Sequence, residues 1–219
     1  MNSKVFDFLE ELKKHNQREW FNDHKLEFEE VKMLMTNFFQ ELHLQLSEVD
    51  EFDEPKIYRI YRDVRFSKDK TPYKTNFSAI FKRKQPYNRG SFYVQIESGN
   101  SFVGGGFWGP EKDDLLRIRQ AIDYEDSLEN IIKEIERKSK FDFYKGEALK
   151  TIPKGFDREH PRAELLRQKQ FLLIKNYNDK EVLAKDFQSN IVQSYLEIKS
   201  FYEYMSDVLT TNGNGELIV

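Results

Sequence analysis

No cysteine occurs among the 219 residues of the chain. Its absence excludes disulfide bonds, thiolate nucleophiles and cysteine-ligated zinc sites, and it is consistent with a reducing compartment. Long apolar runs are missing too, so no segment reaches the length of a membrane span. The first residues, "MNSKVFDFLEELKK", carry charges where a secretory signal needs an apolar core. We therefore expect a cytoplasmic protein with no membrane contact.

Familiar catalytic and cofactor motifs are also missing. The four histidines, His15, His24, His43 and His160, lack the spacing of a metal site. The glycine run 104–106 does not match a phosphate-binding loop, and no GxSxG nucleophile motif is present. We predict no metal and no cofactor, and we expect the glycine run to allow close backbone approach. Whether the protein is an enzyme stays open at this point.

What is present is typical of a folded protein with a charged surface. Hydrophobic residues make up 38% of the chain and aromatic residues 15%, which argues against disorder even though charged residues reach 33%. A chain of this length buries a sizeable core as one domain. We predict a single domain over residues 1–209, followed by a flexible tail over 210–219.

Helical periodicity marks both ends of the chain. Residues 3–14 carry one apolar stripe, with Ser3 as the expected N-cap. Asn16 and Glu19 match a capping box, which predicts that one long helix begins near Asn16 and continues to about Leu46. A second long helix is expected within 184–209.

The middle of the chain has the period of strands. In "SFYVQIES", Phe92, Val94 and Ile96 share one face. The segments "TNFSAIFKR", "SFVGGGFW" and "FLLIK" are further strand candidates, and residues 98–100 suit a hairpin turn. These patterns predict an α+β fold: a single domain with a mainly antiparallel sheet of four to six strands, flanked by helices from both termini.

The charge is distributed unevenly. The chain has a net charge of -3, yet residues 56–93 hold eleven Lys and Arg against two acids, about +9, interleaved with aromatic residues. The remainder therefore carries about -12. Such a basic region could meet an anion, although the overall negative charge argues against tight non-specific binding of nucleic acid. We expect weak or no affinity for random duplex DNA at physiological salt.

The stretch "RIYRDVRFSKDKTPYKTNF" concentrates this charge. Its arginines recur at steps of three, which does not fit a straight strand and favours a bend. We predict that a strand ends at about Tyr61, that Pro72 closes an irregular loop, and that a strand returns from about Thr75. Converging guanidinium and ammonium groups suit a phosphate or a carboxylate. The candidate ligand-binding residues are Arg59, Arg62, Asp63, Arg65, Lys70, Tyr73 and Lys74.

Three alternatives stand beside a small anionic or phosphorylated ligand. The loop could be a structural ion-pair network, in which Asp63 pairs with an arginine (Arg59, Arg62 or Arg65) and Asp69 pairs with Lys70 or Lys74. The protein could be an enzyme acting on such a ligand, with Asp63 or Glu97 as the general base. It could also be a protein-interaction module whose basic face meets an acidic partner.

A second basic cluster lies in "FDREHPRAELL". Arg158, His160 and Arg162 precede a predicted helix, whose N-terminus could receive an anion. Entry into a helix is by itself enough to explain Pro161.

The basic loop also resembles a known family. The residues that carry the resemblance are Arg59-x-x-Arg62-Asp63-x-Arg65-Phe66-x-x-Asp69-Lys70-x-x-Tyr73. They look like the signature of the uncharacterised family called domain of unknown function 2461. The stretches "LKKHNQREWF", "FYVQIESGNSFVGGGFW" and "PKGFDREHPRAELL" extend the resemblance over nearly the whole chain. The resemblance implies a widespread bacterial single-domain protein, and it implies no reaction, cofactor or catalytic residue.

Overall fold

The computed structural model describes residues 1–212 and 214–218, in which helices at both ends of the chain flank a central group of strands. The helices are α1 (Ser3–Lys14), α2 (Arg18–Asp23), α3 (Lys25–Ser47), α4 (Lys112–Tyr124), α5 (Ser127–Lys138), α6 (Ala163–Leu166), α7 (Asp179–Leu183), α8 (Phe187–Glu197) and α9 (Lys199–Thr210). The strands are β1 (Lys56–Ile57), β2 (Phe77–Lys82), β3 (Ser91–Ile96), β4 (Ser101–Phe107), β5 (Asp142–Phe143) and β6 (Phe171–Tyr177).

Within the described residues the strands form one antiparallel sheet of six, in the order β1-β2-β3-β4-β6-β5. Lys56 lies opposite Ile80 in the β1–β2 pair. The predicted hairpin between β3 and β4 is confirmed, and Gly99 takes the positive φ of 71° that its turn requires. The predicted class, a single α+β domain with a mainly antiparallel sheet, is confirmed.

Contacts within the chain define two compact units, which we describe separately. The first comprises Met1–Phe81, Tyr93–Val103 and Asn176–Val192, and the second comprises Lys82–Phe92, Gly104–Lys175 and Gln193–Val219. In the first unit, the apolar stripe of α1 is buried as its spacing predicts. The apolar face of α3, from Phe28 to Leu46, is buried as well.

The predicted single helix from Asn16 to Leu46 is wrong in two respects. The chain forms two helices, α2 and α3, which are separated at His24, where the ring Nδ1 donates to the carbonyl of Trp20 at 2.8 Å. Asn16 does not cap a helix, because its side chain binds the backbone of a distant residue. The first helix likewise begins one residue earlier than expected, since Asn2 rather than Ser3 accepts the capping hydrogen bond from the amide of Lys4.

In the second unit, the glycine run serves close packing, as predicted. A methyl group at Gly106, whose φ is 138°, would meet the carbonyl oxygen of Phe171 at 2.2 Å.

The expected long helix over 184–209 is instead divided at Ile198 into α8 and α9. Residues 213 and 219 of the predicted tail lie outside the described residues, so the domain bounds stay a prediction.

In the described part of the chain, no helix combines the length and the apolar character that crossing a membrane demands.

Candidate functional site

The basic loop, residues 59–74, is closed at its base by backbone pairing. The amide of Lys74 donates to the carbonyl of Ile60 at 2.8 Å, and the amide of Arg62 donates to the carbonyl of Pro72 at 2.9 Å. Tyr61 and Tyr73 face each other in the antiparallel bridge between these two bonds. The predicted irregular loop is therefore present, but its strand bounds were wrong: β1 ends at Ile57 rather than at about Tyr61, and β2 begins at Phe77 rather than at about Thr75.

Tyr73 anchors the loop to the core of the first unit. Its ring is buried and stacks on Phe21 with the ring centroids 4.0 Å apart. The side chain of Asn16 donates to the carbonyl of Tyr73 at 3.0 Å and accepts from its amide at 3.1 Å. Burial raises the pKa of the Tyr73 hydroxyl. Tyr73 thus fixes the base of the loop to the core. No local sequence pattern predicts its contacts with Phe21 and Asn16.

The tip of the loop contains an ion pair that differs from the predicted pairings. Arg62 binds Asp69 and the hydroxyl of Thr71, not the neighbouring Asp63. Asp69 in turn binds neither Lys70 nor Lys74. Hydrogen bonds from the amide of Thr71, from Arg62 and from the Thr71 hydroxyl lower the pKa of Asp69 to about 2. The pair therefore ties the two sides of the loop together.

A second pair lies beside the first. Asp63 receives Nε of Arg65 at 2.9 Å and Nη2 at 2.6 Å, a bidentate contact. These hydrogen bonds from Arg65 lower the pKa of Asp63, which makes Asp63 a weak general base. The ammonium group of Lys70 donates to the carbonyl of Val64 at 2.9 Å. Arg65, Asp63 and Lys70 are thus satisfied within the loop.

The base of the loop differs from its tip, because its two cations have no carboxylate. Arg59 is exposed, and no side chain in residues 1–212 or 214–218 forms an ion pair with it or with Lys74. The Lys74 ammonium lies 5.0 Å from the centroid of the Tyr58 ring. Burial lowers the pKa of Lys74, and the positive charge of Arg59 lowers it further. The two neighbouring cations therefore have no directly bonded carboxylate among the described residues, although the charge of Arg59 also helps to lower the pKa of Asp63.

Glu97, the other general base considered, lies at the end of β3 with both carboxylate oxygens occupied. One oxygen accepts from the Thr75 hydroxyl at 2.5 Å, and the other accepts from Gln95 at 3.0 Å and from Asn100 at 2.8 Å. Glu97 faces a shallow cleft of about 230 Å³ beside α1. These bonds hold the hairpin and the strand entrance at Thr75 together.

Arg162, in the second basic cluster of the sequence, caps the C-terminus of α4. Arg162 donates from Nε to the carbonyl of Ile122 at 2.7 Å and from Nη2 to that of Asp123 at 3.3 Å, at the C-terminus of α4. His160 accepts the amide of Arg162 at 3.0 Å. A positive charge at the C-terminus of a helix interacts favourably with the helix dipole, so Arg162 stabilises the end of α4. In the residues described, no group of three or more His, Asp or Glu side chains could hold a metal ion.

The fold and the loop define a class: an α+β protein with a helix-flanked antiparallel sheet and an ion-paired basic loop near the sheet edge. The chain belongs to the family described as "Conserved hypothetical protein (DUF2461)", whose model matches residues 4–204. The predicted family is thereby confirmed. No similar curated protein and no similar solved structure was found.

Proposed function

We propose that this protein binds a small anionic ligand, bearing a phosphate or a carboxylate, at Arg59 and Lys74 at the base of the basic loop. One observation carries the proposal: every other candidate cation of the loop has an oxygen partner within it, whereas these two have none among residues 1–212 and 214–218. The cytoplasmic location, the bacterial origin, and the enzyme and interaction-module alternatives stay predictions.

The electrostatics of this pair favour an anion. Partial burial of Lys74 beside a second cation disfavours its charged form, and a nearby negative charge offsets both effects. Arg59 is exposed, so its planar fork of donors is free to contact an oxyanion. Tyr58 offers a ring face next to the ammonium group of Lys74. A ligand with a negatively charged oxygen group would therefore stabilise the two cations, Arg59 and Lys74.

The titration of Lys74 tests the proposal directly. We expect inorganic phosphate or pyrophosphate to raise the pKa of Lys74, because a bound anion stabilises the ammonium form. NMR detection of the lysine side chains over alkaline pH, with and without the anion, measures this change. In Arg59→Ala the pKa of Lys74 is expected to rise in the absence of anion, and the response to phosphate is expected to weaken.

Lys68→Ala supplies the matched control, since Lys68 is an exposed lysine of the same loop. It removes the same charge and should leave the phosphate response of Lys74 intact. A Lys74 titration that is identical with and without the anion would refute the proposed site.

A further inference from the structure

The outer edge of the sheet is open beside the basic loop. β1 is the edge strand and ends at Ile57; the chain then bends at Ile60, just before the bridge at Tyr61. Tyr58, Ile60 and Arg62 make backbone hydrogen bonds inward, to the returning half of the hairpin. Among the residues that the structure describes, none bonds the backbone amide or carbonyl of Arg59 or Tyr61. These two residues, on either side of the bend at Ile60, therefore keep backbone donors and acceptors that a second chain could bond.

A groove runs along this open edge, within the first unit. It lies between α3 and residues 57–61 and has a volume of about 430 Å³. Its apolar lining consists of Phe28, Met35, Ile57, Tyr58, Ile60, Tyr61 and Phe77. The groove thus offers apolar contacts to alternate side chains of an extended chain that follows the edge.

The charged residues of the groove are mostly basic. Lys25, Lys32 and Arg59 line it, against one acid, Glu29. The ammonium group of Lys32 lies 2.9 Å from the carboxylate of Glu29, so this pair is neutral, while Lys25 and Arg59 have no ion-pair partner in the described part of the chain. The groove accordingly favours an occupant that carries negative charge.

We infer that this groove binds an extended acidic segment of another polypeptide, which pairs with the backbone of residues 57–61 at the sheet edge and follows the bend at Ile60. The amide and carbonyl groups of Arg59 and Tyr61, which have no backbone partner among the described residues, supply hydrogen bonds to that second backbone. The basic side chains select acidic residues. The inference goes beyond the proposed anion site and shares Arg59 and the ring of Tyr58 with it.

The backbone of the peptide supplies the sharpest test. A fluorescent peptide of alternating glutamate and valine is titrated by anisotropy, beside two peptides N-methylated either at every glutamate or at every valine. In a strand, residues of one set point their amides to the protein and those of the other set point them to solvent. We expect one methylated peptide to bind at least about tenfold more weakly and the other to bind like the parent.

Variants of the protein separate this surface from the anion site. Lys32→Glu reverses an exposed charge in the groove and is expected to weaken peptide binding while the phosphate response of Lys74 is retained. Lys74→Ala should abolish the phosphate site and leave peptide binding nearly unchanged. Lys68→Glu, outside the groove, is the control for a general change of charge.

Two results would overturn the inference whatever becomes of the anion site. One is equal affinity for all three peptides, since a purely electrostatic contact ignores N-methylation. The other is the absence of peptide binding at low salt. Competition by a single-stranded oligonucleotide, together with indifference to N-methylation, would assign the groove to nucleic acid instead.

Discussion

In the second unit, Arg83 and Arg119 bind backbone carbonyls, whereas Arg89 pairs with the carboxylate of Asp114. Arg119 donates to the carbonyls of Leu166 at 3.0 Å and Gln168 at 3.1 Å. Arg83, which is only 3% exposed, donates to the carbonyl of Arg89 at 3.0 Å. These acceptors belong to the main chain, so each arginine holds chain segments in place.

The arginines of the first unit have different partners. In the basic loop, Arg62 and Arg65 bind carboxylates from the same loop, and Arg59 binds neither a carboxylate nor a carbonyl of the described residues. The comparison teaches that the partner and its burial, rather than the positive charge, separate a structural arginine from one that is available to a ligand. Each prediction below changes one cation or its partner, and the predictions run from a buried cation with several partners to a cation with no carboxylate partner.

The largest effect is expected for Arg83→Ala. The change removes a buried guanidinium that binds the hydroxyl of Ser206 at 2.8 Å and lies 5.0 Å from the centre of the Tyr202 ring. Leaving these groups without a partner should lower the free energy of unfolding by about 3 kcal/mol. Urea denaturation measures it, with the exposed neighbour changed in Lys82→Ala as the control. Equal effects of the two substitutions would remove the distinction between the units.

A smaller loss is expected for Arg62→Ala. The Arg62 side chain is partly buried, but its carboxylate partner Asp69 is 57% exposed, so solvent screens the pair. We expect the free energy of unfolding to fall by about 1 kcal/mol or less. A double-mutant cycle with Asp69→Ala should show a coupling that shrinks at high salt. A loss as large as that of Arg83→Ala would place the loop among the structural networks.

The pH dependence of stability tests the Asp69 pair in another way. The folded-state pKa of Asp69, about 2, lies below its ordinary value of 3.8. Its stabilising contribution is therefore complete above 3.8 and is lost as the pH falls towards 2. We expect Asp69→Asn to flatten this part of the acid unfolding curve, measured as the urea midpoint between these pH values. Asp53→Asn, at an exposed aspartate, should leave the curve unchanged.

The smallest effect is expected for Lys74→Ala. The lysine has no carboxylate partner to leave behind, and its pKa is lowered by burial and by Arg59. Its removal ends the repulsion from Arg59 and also removes the contact with the Tyr58 ring. The free energy of unfolding should therefore change by no more than about 0.5 kcal/mol. Thermal unfolding beside Lys68→Ala measures this difference. A severe loss of stability would show that Lys74 is structural and would weaken the proposed anion site.

Much of this architecture follows from local patterns. The alternation around Phe92 and the Ser98–Asn100 turn predicted the β3–β4 hairpin, because each depends on neighbours in the chain. The bend of the basic loop followed from the spacing of its arginines and from Pro72. Asn16 was misassigned because a capping box and a tertiary anchor use the same side-chain groups, and the pattern does not reveal the distant Tyr73 backbone.

The sequence by itself determined the α+β class, the basic region and the family resemblance, since periodicity, composition and motif spacing are properties of neighbouring residues. The tertiary structure decided which carboxylate each cation meets. Asp69 reaches Arg62 across the loop, while Asp63 turns to Arg65. It also decided that Arg59 and Lys74 lie near each other and that neither pairs directly with a carboxylate of the described residues. These outcomes depend on how the hairpin closes, because ion pairs form over a few ångströms of space, and separation along the chain does not determine that distance.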